Sequence, residues 1–213
     1  DSIGYTLSGT ATGATVTGLP SGVNGTLSGT TYTISGTPTV VGTFNYTITT
    51  TGTCTPVTIS GTIIVQSQTI TLNSGNNNQT VCINSPIANI QYTVGGTGTG
   101  ATVSGLPAGV SFTNSGGIIF IFGSPTVPGT YTYTVTTTGP CVNVSINGSI
   151  VVNDNATIAL TSATGTDAQT KCINTPVTAI TYLVGGSGTG VTLTGALPAG
   201  VTGTYNAGTQ LYT

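Results

Sequence analysis

The stretch GTYTYTVTTTG at residues 129–139 decides the fold class of this chain. In it Tyr131, Tyr133 and Val135 alternate with threonines. A period of two places every second side chain on the same face of a β-strand, and aromatic and β-branched residues favour that conformation. The stretch therefore predicts a strand with an apolar face toward a core and a hydroxyl face toward solvent.

The same alternation recurs elsewhere, whereas helical spacing with capping residues does not. Segments 3–7 and 90–94 alternate in the same way, and the runs at 117–122 and 142–152 predict further strands. Glycine, proline, serine and asparagine interrupt these segments about every ten residues. The whole chain is therefore predicted to be all-β.

Long stretches of the chain are near-copies of one another. Residues 90–110 run parallel to residues 3–23 at an offset of 87, and to residues 180–201 at offsets of 90 to 91. Spacing of this length is typical of whole domains in tandem, because solenoid repeats are shorter. The predicted domains, which we expect to belong to a longer array, are repeat 1 (1–70, N-terminally truncated), repeat 2 (75–155, complete) and repeat 3 (156–213, C-terminally truncated).

About seven short strands in about 88 residues fit an immunoglobulin-like β-sandwich, and a small β-barrel is the alternative. The glycine-rich sequence GLPAGV at 105–110 has near-copies in the other two repeats. We interpret it as a tight turn between strands, because proline restricts φ and glycine permits positive φ. Leu106 and Val110 are expected to enter the core on either side. The segment GGTGTG (95–100) lacks the spacing of a phosphate-binding loop.

Charge is scarce in this chain. Charged residues make up 2% of it, threonine supplies 50 of 213 residues, and glutamate, arginine and histidine are absent. A mean hydropathy of +0.33 with a net charge of −2 indicates folded domains rather than disorder. A surface with so few cations cannot neutralise phosphates, so nucleic acid is excluded as a partner.

Catalytic and metal chemistry lack suitable residues. A serine or threonine nucleophile would have no base except Asp154, Asp167 or Lys171, so we predict that the chain is not an enzyme and takes no cofactor. Calcium needs six to eight oxygen ligands, several of them carboxylates. Asp154 lies at a domain junction where such an ion would bind, but the matching part of repeat 1 has no acid. Asp154 is therefore interpreted as a solvated linker residue.

Residues 18–52 contain GLPSGV followed by YTISGTPTVVGTFNYTITTTG, and residues 121–135 read IFGSPTVPGTYTYTV, with Ser124 in place of threonine. This pattern resembles the immunoglobulin-like, cadherin-like tandem repeats of giant bacterial cell-surface adhesins that are exported by the type IX route. The resemblance implies an extracellular protein at the bacterial surface whose repeats form a stalk or filament. Cadherin-like members carry acidic calcium ligands near domain ends, and here that strand ends TTTGPC.

The four cysteines predict a disulfide framework. In an immunoglobulin strand order, the start of the first strand and the turn between the last two strands lie at the same pole. Cys82, assigned to the opening strand of repeat 2, and Cys141 are therefore expected to form a structural disulfide. By the same register, Cys54 and Cys172 are expected to pair with cysteines outside the sequence. Metal binding is the alternative, but no CxxC or histidine supports it. Disulfides indicate an oxidising, extracellular setting.

Two classes of function remain. The first is a structural repeat region, whose partners are the neighbouring repeats of the same chain. The second is a binding module whose threonine and tyrosine faces meet a glycan or another surface. Near-identical repeats without a cluster of exposed aromatics favour the first. Self-association into a filament is a further expectation, because low charge removes one barrier to contact. The distal ligand is not specified by the sequence.

Overall fold

The computed structural model describes residues 2–213, and it confirms the all-β prediction. These residues form eighteen β-strands in five sheets, with no helix among them. The part of the chain that the structure describes therefore contains no helix of the length and apolarity needed to cross a membrane.

Repeat 1 contains two three-stranded sheets, with strand orders β1-β4-β3 and β2-β5-β6. Tyr32 and Ile34 on β4 form one buried cluster with Tyr46 and Ile48 on β5, so the two sheets pack face to face. The strands are β1 Ile3–Thr6, β2 Ala11–Thr17, β3 Val23–Ser28, β4 Thr31–Gly36, β5 Gly42–Gly52 and β6 Thr58–Val65.

Repeat 2 contains two four-stranded sheets, with strand orders β11-β12-β9-β7 and β10-β13-β14-β8. Strand β8 runs parallel to β14, whereas β13 and β14 are antiparallel. This is the strand order of an immunoglobulin constant-type sandwich, with its first strand divided between the two sheets as β7 and β8. The strands are β7 Gln68–Ser74, β8 Asn78–Cys82, β9 Ile90–Gly96, β10 Gly100–Ser104, β11 Val110–Ser115, β12 Ile118–Gly123, β13 Gly129–Thr138 and β14 Ser145–Asn153.

Repeat 3 contains one sheet of short strands in the order β15-β16-β18-β17. The strands are β15 Thr157–Leu160, β16 Tyr182–Gly185, β17 Tyr205–Asn206 and β18 Leu211–Tyr212.

By contacts the chain divides into two compact units. Unit 1 extends to Ile70 and includes Val94–Thr99 and Thr137–Val144, and unit 2 contains the remaining residues. Unit 1 thus contains repeat 1 together with two loop segments of repeat 2. The boundaries of the three repeats stay a prediction, and strand β7 begins before the predicted start of repeat 2 at residue 75.

The core follows the predicted alternation. Ile90 and Tyr92 on β9, and Tyr133 and Val135 on β13, are fully buried. Ile3, which corresponds to Ile90, is 39% exposed. The reason is that β1 is an edge strand of its sheet, whereas β9 lies between β7 and β12.

The Leu-Pro-x-Gly sequence forms the predicted turn. The amide of Val110 donates to the carbonyl of Pro107 at 3.1 Å, and Gly109 has a φ of 86°. A Cβ at Gly109 would overlap the carbonyl oxygen of Ser124, so this position requires glycine. Val110 is buried and Leu106 is half-buried. The turn therefore connects β10 to β11, and its backbone groups are hydrogen-bonded within the sandwich.

Candidate functional site

The chain passes from β6 to β7 through the linker residues Gln66 and Ser67, and the first residue of β7, Gln68, forms a buried polar site within unit 1. Gln68 is 3% exposed, and its Nε2 donates to the carbonyl of Cys141 at 2.6 Å. The same Nε2 lies 3.4 Å from Oδ1 of Asn143. If the side-chain amide of Gln68 were flipped, its oxygen would face these two acceptor oxygens and make no hydrogen bond. The orientation of the amide is therefore determined. Its Oε1 is buried without a partner among the described residues.

The cysteine loop, residues 138–143, connects β13 to β14 and is closed by a buried threonine. Thr137 donates its amide to the carbonyl of Val144 at 2.9 Å, and its Oγ1 accepts from the amide of Val144 at 2.8 Å. In repeat 1, Thr50 and Val57 make the same two bonds at 2.9 Å each. The cysteine loop is therefore a repeated element, which places Cys54 and Cys141 at equivalent positions.

The segment GGTGTG (95–100) binds the protein's own backbone. Thr97 donates its amide to the carbonyl of Ser67 at 3.0 Å, and Thr99 donates to the carbonyl of Thr138 at 2.7 Å. A Cβ at Gly96 would overlap the carbonyl oxygen of Ser67, so this glycine lets the loop lie against the linker. These two amides are therefore bonded within the protein rather than directed at solvent.

Cys82 and Cys172 each end a segment that turns through an asparagine. The amide of Ser85 donates to the carbonyl of Cys82 at 3.1 Å, and Asn84 has a φ of 63°. The side chain of Gln79 fixes this turn, because it bonds to both the carbonyl and the amide of Ala88, at 2.7 and 2.8 Å. In repeat 3, Gln169 makes the same two bonds to Thr178. These glutamines were missed from the sequence, although the repeated NQTVCIN and AQTKCIN contain them.

The strand register does not bring Cys82 and Cys141 together. Cys82 pairs with Asn153, the last residue of β14, whereas Cys141 precedes the first residue, Ser145, by four positions. A nine-residue strand spans about 26 Å, and four residues folded fully back recover at most about 14 Å. The Cα atoms therefore stay more than about 7 Å apart, beyond disulfide reach. The expected Cys82–Cys141 disulfide assumed that Cys82 lies at the start of the first strand. In the structure Cys82 is the last residue of β8, which is the second half of that strand.

All four cysteines are free thiols in the structure, with Cys141 half-buried and the others exposed. Asp154, Asp167 and Lys171 are exposed at separate positions of repeat 3 and its linker. Within residues 2–213, no three His, Cys, Asp or Glu side chains are grouped closely enough to hold a metal ion.

A pair of tyrosines joins the two sheets in each of the first two repeats. The hydroxyls of Tyr5 and Tyr46 are 2.6 Å apart, and those of Tyr92 and Tyr133 are 3.0 Å apart. Tyr133 also donates to the carbonyl of Asn77 at 3.3 Å, which leaves its oxygen to accept from Tyr92. The hydrogen bond with Tyr5, together with burial, raises the pKa of Tyr46 to about 12. The pKa of Tyr133 is also raised above its ordinary value, mainly by burial and to a smaller extent by the hydrogen bond with Tyr92.

These tyrosines predict an alkaline limit to stability. A tyrosine whose pKa is higher in the folded protein than its ordinary value of about 10 contributes stability that is complete below about pH 10. That contribution is lost as the pH rises through the folded value, about 12 for Tyr46. We expect a melting temperature that is nearly constant from pH 5 to 9, because histidine is absent, and that falls above pH 10.

Circular dichroism melts across this pH range measure the effect. Tyr46→Phe serves as the control, since it removes one titrating hydroxyl and should make the alkaline decrease smaller. A shift of several degrees between pH 5 and 9 would contradict the interpretation, because it would require a titrating site that the tyrosines do not supply.

A cavity of about 440 Å³ opens beside the cysteine loop of repeat 1. Its lining includes Leu7, Ile48 and Val57. The corresponding part of repeat 2 receives the side chain of Gln68, which lies against Gly98 and Gly139. The cavity of repeat 1 therefore lies at the position that Gln68 fills in repeat 2.

Comparisons with known proteins give the fold alone. No family model matches the chain, and no curated protein matches it significantly. A three-domain structure of titin I67–I69, in a Glu-to-Ala variant, is similar with a TM-score of 0.56 and 10% identity, over 100% of this chain and 80% of that one. Another structure of the I67–I69 I-band fragment gives a TM-score of 0.48 and 13% identity over 73% of this chain, which spans 61% of that fragment.

An endo-fucoidan hydrolase of glycoside hydrolase family 107 has a TM-score of 0.30 and 16% identity, over 72% of this chain and 26% of that one. A TM-score this low carries no argument about catalysis. The similarity to the titin variant, together with the strand order, shows that the chain consists of immunoglobulin-like β-sandwich domains in tandem.

Proposed function

We propose that this chain is a structural repeat region, a stalk, shaft or filament segment, of a secreted bacterial surface adhesin or extracellular fibre. Its partners are then the neighbouring repeats of the same chain, and its place is outside the cell. The proposal rests on the resemblance of the repeats to such adhesins and on one structural observation, the bonded linker.

Only Gln66 and Ser67 separate the end of β6 from the start of β7. The carbonyl of Ser67 accepts from the amide and, at 3.3 Å, from the hydroxyl of Thr97. The next residue, Gln68, anchors the cysteine loop. A two-residue connection bonded to the loops that follow it has less conformational freedom than a glycine- and serine-rich tether. Such a connection suits a shaft.

The outer surface of the β2-β5-β6 sheet supports the same function. Thr47 and Ser60 face each other across β5 and β6 with their hydroxyls 3.0 Å apart, and Thr62 donates to Asn45 at 2.8 Å. At the equivalent positions of repeat 2, the hydroxyl of Thr134 donates to Oδ1 of Asn147 at 2.9 Å. Hydroxyls that bond to one another give a neutral, hydrated surface without charge, which suits a spacer.

A binding module is the second candidate, and one observation favours it. Phe120 and Phe122 lie on the outward side of β12 with ring centroids 6.0 Å apart, and Phe122 is 37% exposed. Aromatic faces of this kind stack on sugars and other flat apolar groups. The corresponding residues of repeat 1 are Thr33 and Ser35, so repeat 1 lacks this pair.

Single-molecule pulling and glycan-array binding separate the two functions. A shaft predicts successive unfolding events, each releasing about 30 nm for 87 residues of extended chain, and no glycan binding. The matched variant carries Phe120→Thr and Phe122→Ser, the residues of repeat 1. Glycan binding that this variant abolishes would overturn the shaft in favour of the binding module.

A further inference from the structure

The cysteines occupy two repeated positions, which we name by their structural context. The loop cysteines are Cys54 and Cys141, which lie 87 residues apart in equivalent loops. The turn cysteines are Cys82 and Cys172, which lie 90 residues apart in CINS and CINT turns.

The turn cysteine lies where the chain leaves its repeat. Cys82 is the last residue of β8 and pairs with Asn153, the last residue of the parallel strand β14. The amide of Ile83, the next residue, donates to the carbonyl of Asn153 at 2.8 Å. Gln79 holds this turn against Ala88, so the position of Cys82 is well determined within unit 2.

The loop cysteine lies where the chain enters its repeat. The Sγ of Cys141 is 3.5 Å from the carbonyl oxygen of Gln66, within unit 1. The loop is held there by the bond from Gln68 to the carbonyl of Cys141. Cys141 is therefore directed at the linker that precedes its own sandwich.

Gln66 and Asn153 are equivalent residues. Each follows a valine, Val65 or Val152, and these valines pair with Gly42 and Gly129 in the same register. At the carbonyl of Asn153 the turn of its own repeat donates an amide, and at the equivalent carbonyl of Gln66 the loop of the following repeat places a sulfur. The equivalence of the two carbonyl groups places a turn cysteine and a loop cysteine at the same linker position, which is the close approach that a disulfide requires.

We propose that the turn cysteine of each repeat forms a disulfide with the loop cysteine of the next repeat. Each thiol loses a proton and an electron as the S–S bond forms, and a disulfide oxidant such as oxidised glutathione is reduced to two thiols. The bond joins consecutive sandwiches across their linker, and it forms whether the array serves as a shaft or as a binding surface.

Each linker within residues 2–213 carries one member of this pair. Cys141 lies at Gln66, and Cys82 lies at Asn153. Both cysteines are free thiols in the described part of the chain.

A chain with one added repeat brings both members to one linker. A second copy of residues 66–152 is inserted after Val152, and Cys54 and Cys172 are replaced by serine. The trans variant keeps Cys82 in the first copy and Cys141 in the second. The cis variant, its matched control, keeps both cysteines in the first copy, so the two chains have the same composition.

After exposure to oxidised glutathione, we expect both thiols of the trans variant to be lost to titration and a Cys82–Cys141 peptide to appear in the non-reducing map. The cis variant should keep both thiols. A disulfide in the cis variant, or none in the trans variant, would overturn the proposal. The unaltered chain gives a second measurement, because an intramolecular Cys82–Cys141 peptide recovered from it would also overturn the proposal.

Discussion

Replacing Gly148 with alanine is expected to lower the free energy of unfolding of repeat 2 by about 3 kcal/mol. Gly148 lies directly opposite Tyr133 in the β13–β14 pair, and an added Cβ would overlap the tyrosine ring and the carbonyl of Asn77. Tyr133 is fully buried and is bonded to Tyr92 and Asn77, so it cannot move aside without losing those bonds. Both overpacking and lost hydrogen bonds contribute to the cost.

Hydrogen exchange with mass spectrometry localises this effect in a chain of several domains. Protection of the β13 and β14 amides should fall about 100-fold, since each 1.4 kcal/mol is about a factor of ten. Asn147→Ala, at the exposed neighbouring residue, is the control and should change protection little. Gly61→Ala is expected to act in the same way in repeat 1, because a Cβ there would overlap Tyr46. Unchanged protection in Gly148→Ala would show that the tyrosine is not fixed against β14.

Replacing Tyr133 with phenylalanine is expected to cost about 1–3 kcal/mol, because it leaves the buried hydroxyl of Tyr92 without its partner. Tyr131→Phe is the matched control on the same strand. The hydroxyl of Tyr131 makes an exposed bond to the carbonyl of Val127 at 3.2 Å, so its loss should cost much less.

A double-mutant cycle tests whether the two hydroxyls act as a pair. Tyr92→Phe and Tyr133→Phe together should destabilise by less than the sum of the single changes, because no donor is then left unpaired at this position. The free energies come from hydrogen exchange at the β9 and β13 amides. Strictly additive effects would contradict the pairing.

Local physics made much of the fold predictable from the sequence. The alternation in residues 129–139 identifies the buried faces of Tyr133 and Val135, because side chains on a strand alternate between its two sides. The Leu-Pro-x-Gly turn was predictable for the same kind of reason, since glycine adopts the positive φ of Gly109 without steric cost. These features depend on neighbours within a few positions.

Tertiary structure alone decided the positions of the cysteines. Nothing local shows that the first strand divides into β7 and β8, or that β8 runs parallel to β14 and so places Cys82 beside Asn153. The burial of Gln68 depends likewise on loops that are distant in sequence. The sequence by itself determined strands, turns and repeats, because these follow from side-chain period and backbone preference. The pole of the sandwich at which each cysteine lies was decided by sheet topology, because strand pairing joins residues about 70 positions apart.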